Sequence, residues 1–116
     1  MRKWHLLVAG ALFGVTLVSA AIGAGYGLGM KTCAQFAQAY SANPKLAEEL
    51  YFSWAQGLIS GMNLAAEADN KTTRALSVSG WDEQKARIRE YCNTRPLETY
   101  GAAVIDLFNN MPAAKR

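Results

Sequence analysis

"PKLAEELYFSWAQGLISGMNLAAEA", residues 44–68, decides the fold. At about 100° per residue, Leu46, Leu50, Trp54, Leu58 and Met62 form one drifting apolar stripe, flanked by Tyr51, Ala55, Leu64 and Ala65. Phe52 and Ile59 widen the arc further, and Glu49, Ser53, Gln56, Ser60, Asn63 and Glu67 share a narrow polar strip. A helix that is apolar around most of its circumference is central in its bundle or covered by another subunit. Asn43 is suited to cap it and Pro44 to open it, because the first helical N–H has no partner to lose. Gly57 and Gly61 each cost helix stability of about 1 kcal/mol relative to alanine. The expected compensation is close approach of a neighbouring helix. Most of the arc reads as core, with Phe52 and Ile59 at its far edge as the candidate client or partner surface.

Upstream, "TCAQFAQAYS" at 32–41 is a first short helix with Cys33, Phe36, Ala37 and Tyr40 on one side, ended by "SANP". Downstream, residues 69–79 form a loop. Ser79 followed by Asp82 resembles a capping box, opening a third helix to Tyr91 or Cys92 that buries Trp81, Ile88 and Cys92. Lys85 is placed to lay its methylenes along that apolar surface. After the break at "NTR", Pro96 opens a fourth helix with Leu97, Gly101, Val104, Phe108 and Met111 on one face and Tyr100 and Leu107 beside it. No apolar alternation is long enough for a sheet. The expected fold is all-α, a small single-domain bundle of about four helices over 32–111 with one disulfide.

The chain opens on the basic "MRKWH", and no charged residue occurs from Leu6 to Met30. This is the pattern of a secretory signal peptide over 1–24, with small residues at "VSA" (18–20) and "IGA" (22–24) placing cleavage between 20 and 25. The alternative is an uncleaved inner-membrane anchor with "GALFG" (10–14) as a packing face, since about 20 apolar residues span a bilayer. Glycines at 23, 25, 27 and 29 favour a flexible exit over a continued helix. Membrane contact follows only if the segment stays uncleaved. Either way the remainder is exported, where disulfides persist, so Cys33 and Cys92 are expected to be bonded rather than reduced and buried. In the chain-entropy model, closing so long a loop contributes about 4 kcal/mol, a large share of the net stability of a small domain.

Composition narrows function. Without Arg2 and Lys3, Lys+Arg falls from 12 to 10 against 9 Asp+Glu, and the formal net charge from +3 to +1. Nucleic-acid binding needs a concentrated basic surface, and "KARIRE" (85–90) with Arg95 reads instead as a solvated helix face. The single histidine is His5, inside the signal segment. The remainder has neither an imidazole base nor a histidine metal ligand, and a disulfide removes thiol chemistry. No enzyme, cofactor or metal is expected.

"KTCAQF" (31–36) and "YCNTRP" (91–96) resemble the T-C-x-x-F and Y-C-x-x-x-P signatures of HdeA/HdeB-like periplasmic proteins, through Thr32, Cys33, Phe36, Tyr91, Cys92 and Pro96. The resemblance implies a periplasmic helical fold crossed by one disulfide. It also implies a non-enzymatic binding protein, with acid-stress chaperones (holdases) as the best-known members: dimers at neutral pH that loosen in acid and bind unfolding clients. A homodimer is one implied state. Neutralising all nine carboxylates takes the formal charge without the signal from +1 to +10. That self-repulsion is expected to loosen packing and to expose the arc of the long helix, including Phe52 and Ile59. The alternative function is dedicated binding of one protein partner, as by a Rap/Tai-type immunity protein.

Overall fold

The computed structural model describes residues 25–115; the signal peptide expected over 1–24 lies outside them. A 3₁₀ turn, Gly27–Met30, is followed by α1 (Cys33–Ala42), α2 (Pro44–Ala68), α3 (Trp81–Thr94) and α4 (Tyr100–Asn109). The described residues hold no strand, only isolated bridges at Thr32–Thr99 and Arg74–Ala113. None of their helices is long and apolar enough to cross a membrane.

Helix α1 is too short to be stable alone, and its first turn is satisfied from two sides. Thr32 and Gln35 form a reciprocal capping box: Gln35 N donates to Thr32 Oγ1 at 3.1 Å and Thr32 N to Gln35 Oε1 at 2.9 Å. Cys33 N donates to the carbonyl of Glu98 at 2.7 Å and Ala34 N to that of Pro96 at 3.0 Å. These carbonyls serve helical donors that have no partner within their own helix. Residues 96–99 must therefore stay non-helical, and α4 opens at Tyr100 rather than at Pro96, with Thr99 accepting from Ala102 N at 3.1 Å. Leu97, placed on an apolar helix face by its spacing, is instead 90% exposed. The Cys33–Cys92 disulfide, with Cα atoms 4.8 Å apart, joins the start of α1 to the end of α3.

Helix α2 begins and ends where its sequence pattern places it, with Asn43 Oδ1 accepting from Leu46 N at 3.2 Å and Pro44 in the first turn. Its buried residues are Ala47, Tyr51, Phe52, Ala55 and Ile59, and all but Ala47 join Phe36, Ile88, Tyr100, Ala103, Val104, Leu107, Met111 and the disulfide in one core. The expected orientation is thus rotated. Leu46, Leu50 and Leu64 are exposed, while Phe52 and Ile59 are each only 3% exposed. The cause is the return of the chain over that side of α2. Asn63 bonds both backbone groups of Arg74 at 2.8 Å, and Ala75 N and Ala114 N pair the 73–75 stretch with the C-terminal segment.

The cap of α3 also differs from the Ser79–Asp82 expectation, because Gly80 is the N-cap and no side chain caps it. Gln84 takes up the organising role. It is buried and donates to the carbonyls of Leu76 at 3.0 Å and Ser79 at 2.9 Å. Trp81, expected in the core, is mostly exposed and edges onto Phe52 with ring centroids 6.3 Å apart.

Close packing at glycine occurs elsewhere than expected. A methyl group at Gly57 or Gly61 would meet nothing within 4 Å. At Gly29 it would overlap the Trp54 ring, and at Gly101 it would sit 2.9 Å from the Gly29 carbonyl oxygen. The 26–30 segment thus lies between Trp54 and α4, with Trp54 Nε1 donating to the Tyr26 carbonyl at 3.2 Å. Gly27, at φ +83°, makes the turn that this path requires.

Reduction or Cys33→Ser should lower stability by roughly 2–5 kcal/mol, read as a fall in urea midpoint; two free thiols in the oxidised protein would refute the bond. Gly57→Ala and Gly61→Ala should each stabilise by about 0.5–1 kcal/mol, since helix propensity improves with no clash. Gly29→Ala and Gly101→Ala should destabilise by about 1–3 kcal/mol through overpacking. The four midpoints decide where helices approach closely.

Candidate functional site

Three of the helices meet at a cluster of aromatic rings. Phe36 of α1, Tyr51 of α2 and Tyr100 of α4 lie pairwise 4.9 Å apart between centroids, and Tyr40 continues the cluster 6.0 Å from Phe36. Such tilted and edge-on contacts suit the quadrupoles of the rings. Against this cluster Glu48 of α2 is ion-paired and hydrogen-bonded to Arg89 of α3, across 41 residues of sequence. The Glu48 side chain is 12% exposed and that of Arg89 32%. The guanidinium also lies over the Tyr40 ring, 5.4 Å from its centroid, a cation–π contact that covers the pair from the α1 side. The other ion pairs among the described residues, Asp69–Lys71 and Glu83–Arg87, are local and exposed, a class that contributes little stability.

Tyr100 is fully buried and its hydroxyl has no hydrogen-bond partner among the described residues. Burial pushes its phenol well above the usual tyrosine range, and the nearby Glu48 carboxylate and Tyr51 phenol act in the same direction while Arg89 opposes them. Burial raises Tyr51 as well. Next to the disulfide a cavity of about 260 Å³ is lined by Phe36, Ala37, Tyr40, Arg89, Cys92 and Asn93.

The other distinctive surface is the outer face of α2. Leu46, Leu50, Gly57, Gly61 and Leu64 share one side of the helix at about 100° per residue, with the three leucines about half or more exposed and open space over both glycines. Trp54, half-buried, borders this stripe. Phe52 and Ile59, expected as the partner surface, lie on the opposite side and are covered. The ammonium of Lys85 sits 5.2 Å over the Phe52 ring, and Ile59 shares a cavity wall with Leu76, Trp81 and Gln84.

Among the described residues no three His, Cys, Asp or Glu side chains stand close enough together to hold a metal, and both cysteines are in the disulfide. Glu48 is the residue that pattern reading missed. It falls outside the polar strip of α2, among Ala47, Tyr51 and Ala55, and an acidic residue at a core-facing position signals a buried partner. Comparison of the chain with protein families, curated proteins and solved structures finds no match.

Tyr100→Phe removes a buried hydroxyl that lacks a partner and should raise stability by about 1 kcal/mol at pH 7. Above pH of about 10 unfolded tyrosines ionise, while burial keeps the folded Tyr100 phenol protonated and raises Tyr51 in the same direction. The unfolded state then binds fewer protons, and stability falls as pH rises. Urea midpoints from pH 8 to 11 should fall steeply in the parent and less in Tyr100→Phe. Equal slopes would remove Tyr100 from the cause.

Proposed function

We propose that this chain is a non-enzymatic protein-binding protein of the periplasm, an acid-stress holdase of the HdeA/HdeB type. The observation that carries this reading is the apolar face of α2 that no other described residue covers fully, with Leu46, Leu50 and Leu64 about half or more exposed on a helix whose other side forms the core. Contiguous exposed apolar surface on a small protein marks an interaction site, and its chemistry fits the apolar segments of unfolding proteins. The disulfide suits an oxidising compartment and keeps α1 attached to α3 when packing loosens. The motifs around Cys33 and Cys92 add the family resemblance. In acid the charge arithmetic favours expansion, because neutralising nine carboxylates leaves a formal +10 without the signal segment.

One observation favours a second reading. The leucine stripe is already exposed while the Glu48–Arg89 pair is formed, so a dedicated partner could dock on the fully folded protein at neutral pH. Dedicated binding, as by an immunity protein, therefore stands as the alternative.

Light scattering of an aggregating client at pH 7 and at about pH 2.5 separates the two. The holdase reading expects suppression of aggregation only in acid, and its loss in Leu46→Ser with Leu50→Ser. Exposed substitutions of this kind change stability by about 0.5 kcal/mol or less, so unfolding would not explain the loss. A protein that suppresses nothing between these pH values is not a holdase, and tight neutral-pH binding to one partner becomes the function.

A further inference from the structure

We propose that the cavity beside the disulfide admits a small thiol bearing a carboxylate, which Arg89 holds by its anionic end while its sulfur exchanges with Cys92. Cys92 is then a site of reversible modification by such thiols. The proposal concerns the chemistry of the bond rather than the capture of a protein, and it stands apart from the holdase reading.

The cavity reaches one end of the disulfide and not the other. Its walls are Phe36, Ala37 and Tyr40 of α1 and Arg89, Cys92 and Asn93 of α3, with Cys33 outside them. Cys33 is 1% exposed, and its Sγ lies 3.8 Å from the Thr99 carbonyl oxygen. Ala37 and Asn93 are exposed, so the cavity opens between them. At the roughly 30 Å³ that one water molecule takes up in the liquid, a volume of about 260 Å³ holds a molecule of up to about nine heavy atoms. A short mercaptocarboxylate fits within that limit.

Of the wall residues Arg89 alone is charged, and this sets the preference for an anion. A guanidinium carries five N–H donors, and Glu48 accepts from Nη1. The Arg89 side chain is 32% exposed against 12% for Glu48, so the cation is the member of the pair that solvent reaches. The Tyr40 ring, 5.4 Å away, fixes the guanidinium from the α1 side. Arg89 and Cys92 stand three residues apart on α3 and therefore share a face, with Cβ atoms about 5–6 Å apart, a span that a short mercaptocarboxylate bridges.

The thiolate is the nucleophile in disulfide exchange. Its sulfur bonds to Cys92 Sγ as the bond between the two Sγ atoms breaks, and the electron pair leaves on Cys33 Sγ, which takes a proton from water. The new Cys33 thiol then has the Thr99 carbonyl as an acceptor. The small thiol is oxidised and Cys33 is reduced, so no other reductant enters. Cys33 stays beside the mixed disulfide, and its return attack expels the small thiol and restores the bond.

The test exposes the folded protein, at about pH 8 where part of a thiol is thiolate, to mercaptoacetate, 2-mercaptoethanol and cysteamine, which are anionic, neutral and cationic. Samples are quenched in acid and the adducts mapped by mass spectrometry. Each rate is divided by that of the same thiol with the urea-unfolded protein, which removes intrinsic thiol reactivity. The normalised rate should be severalfold higher for mercaptoacetate than for cysteamine, with the adduct on Cys92 and the free thiol on Cys33. Added salt should shrink that preference, a reading that needs no variant to fold. Ala37→Leu, at an exposed position of α1, should slow mercaptoacetate severalfold by narrowing the cavity, while Arg89→Gln should lose the preference for the anion and Arg89→Lys keep it. Adducts spread over both cysteines, equal normalised rates for the three thiols, or an Ala37→Leu rate equal to the parent's would each overturn the site, because exchange would then proceed through unfolding.

Discussion

The arrangement on which the rest depends is the pairing of two helix starts. Thr32 and Thr99 each cap a helix and lie side by side in one bridge, and Tyr100 N donates to the Lys31 carbonyl at 2.8 Å. The carbonyls of Pro96 and Glu98 meanwhile satisfy the first donors of α1. The disulfide lies at the same place. A ten-residue helix without this support would not persist. With it, α1 becomes a fixed wall against which Phe36, Tyr51 and Tyr100 stack.

That wall settles how α2 can rotate. Tyr51 must face the ring cluster and Trp54 must reach over Gly29 toward Gly101. Once these two contacts are made, Ala47, Ala55, Phe52 and Ile59 turn inward, and the leucines at 46, 50 and 64 are left about half or more exposed. The exposed stripe follows from satisfying the rings, and Gly57 and Gly61 lie on it. Their open surroundings leave no internal packing reason for glycine there.

The same rotation carries Glu48 inside. A carboxylate at a core-facing position requires a counter-charge, and Arg89 supplies it from α3. Charge and aromatic packing therefore share one volume, where the partnerless Tyr100 hydroxyl, the Glu48 carboxylate and the Arg89 guanidinium stand beside the rings.

Sequence by itself determined the all-helical class, the bounds of α2, the cap at Asn43 and, through the export pattern, the Cys33–Cys92 bond. Each rests on local chemistry or on expectation: apolar period, a cap side chain, a proline without N–H and, for the disulfide, the expectation of an oxidising compartment. Tertiary structure decided what depended on partners distant in sequence. It held Pro96 to Thr99 out of α4 because α1 needed their carbonyls, moved the cap of α3 to Gly80, and left Leu97 and Trp81 outside. It buried Phe52 and Ile59 and exposed Leu46, Leu50 and Leu64, since an arc that is apolar nearly all round carries no mark of which side the chain will fold back to cover. The Glu48–Arg89 pair lies between these cases: the misplaced acid was visible in the pattern, but its cation, 41 residues away, was chosen by the packing of α3.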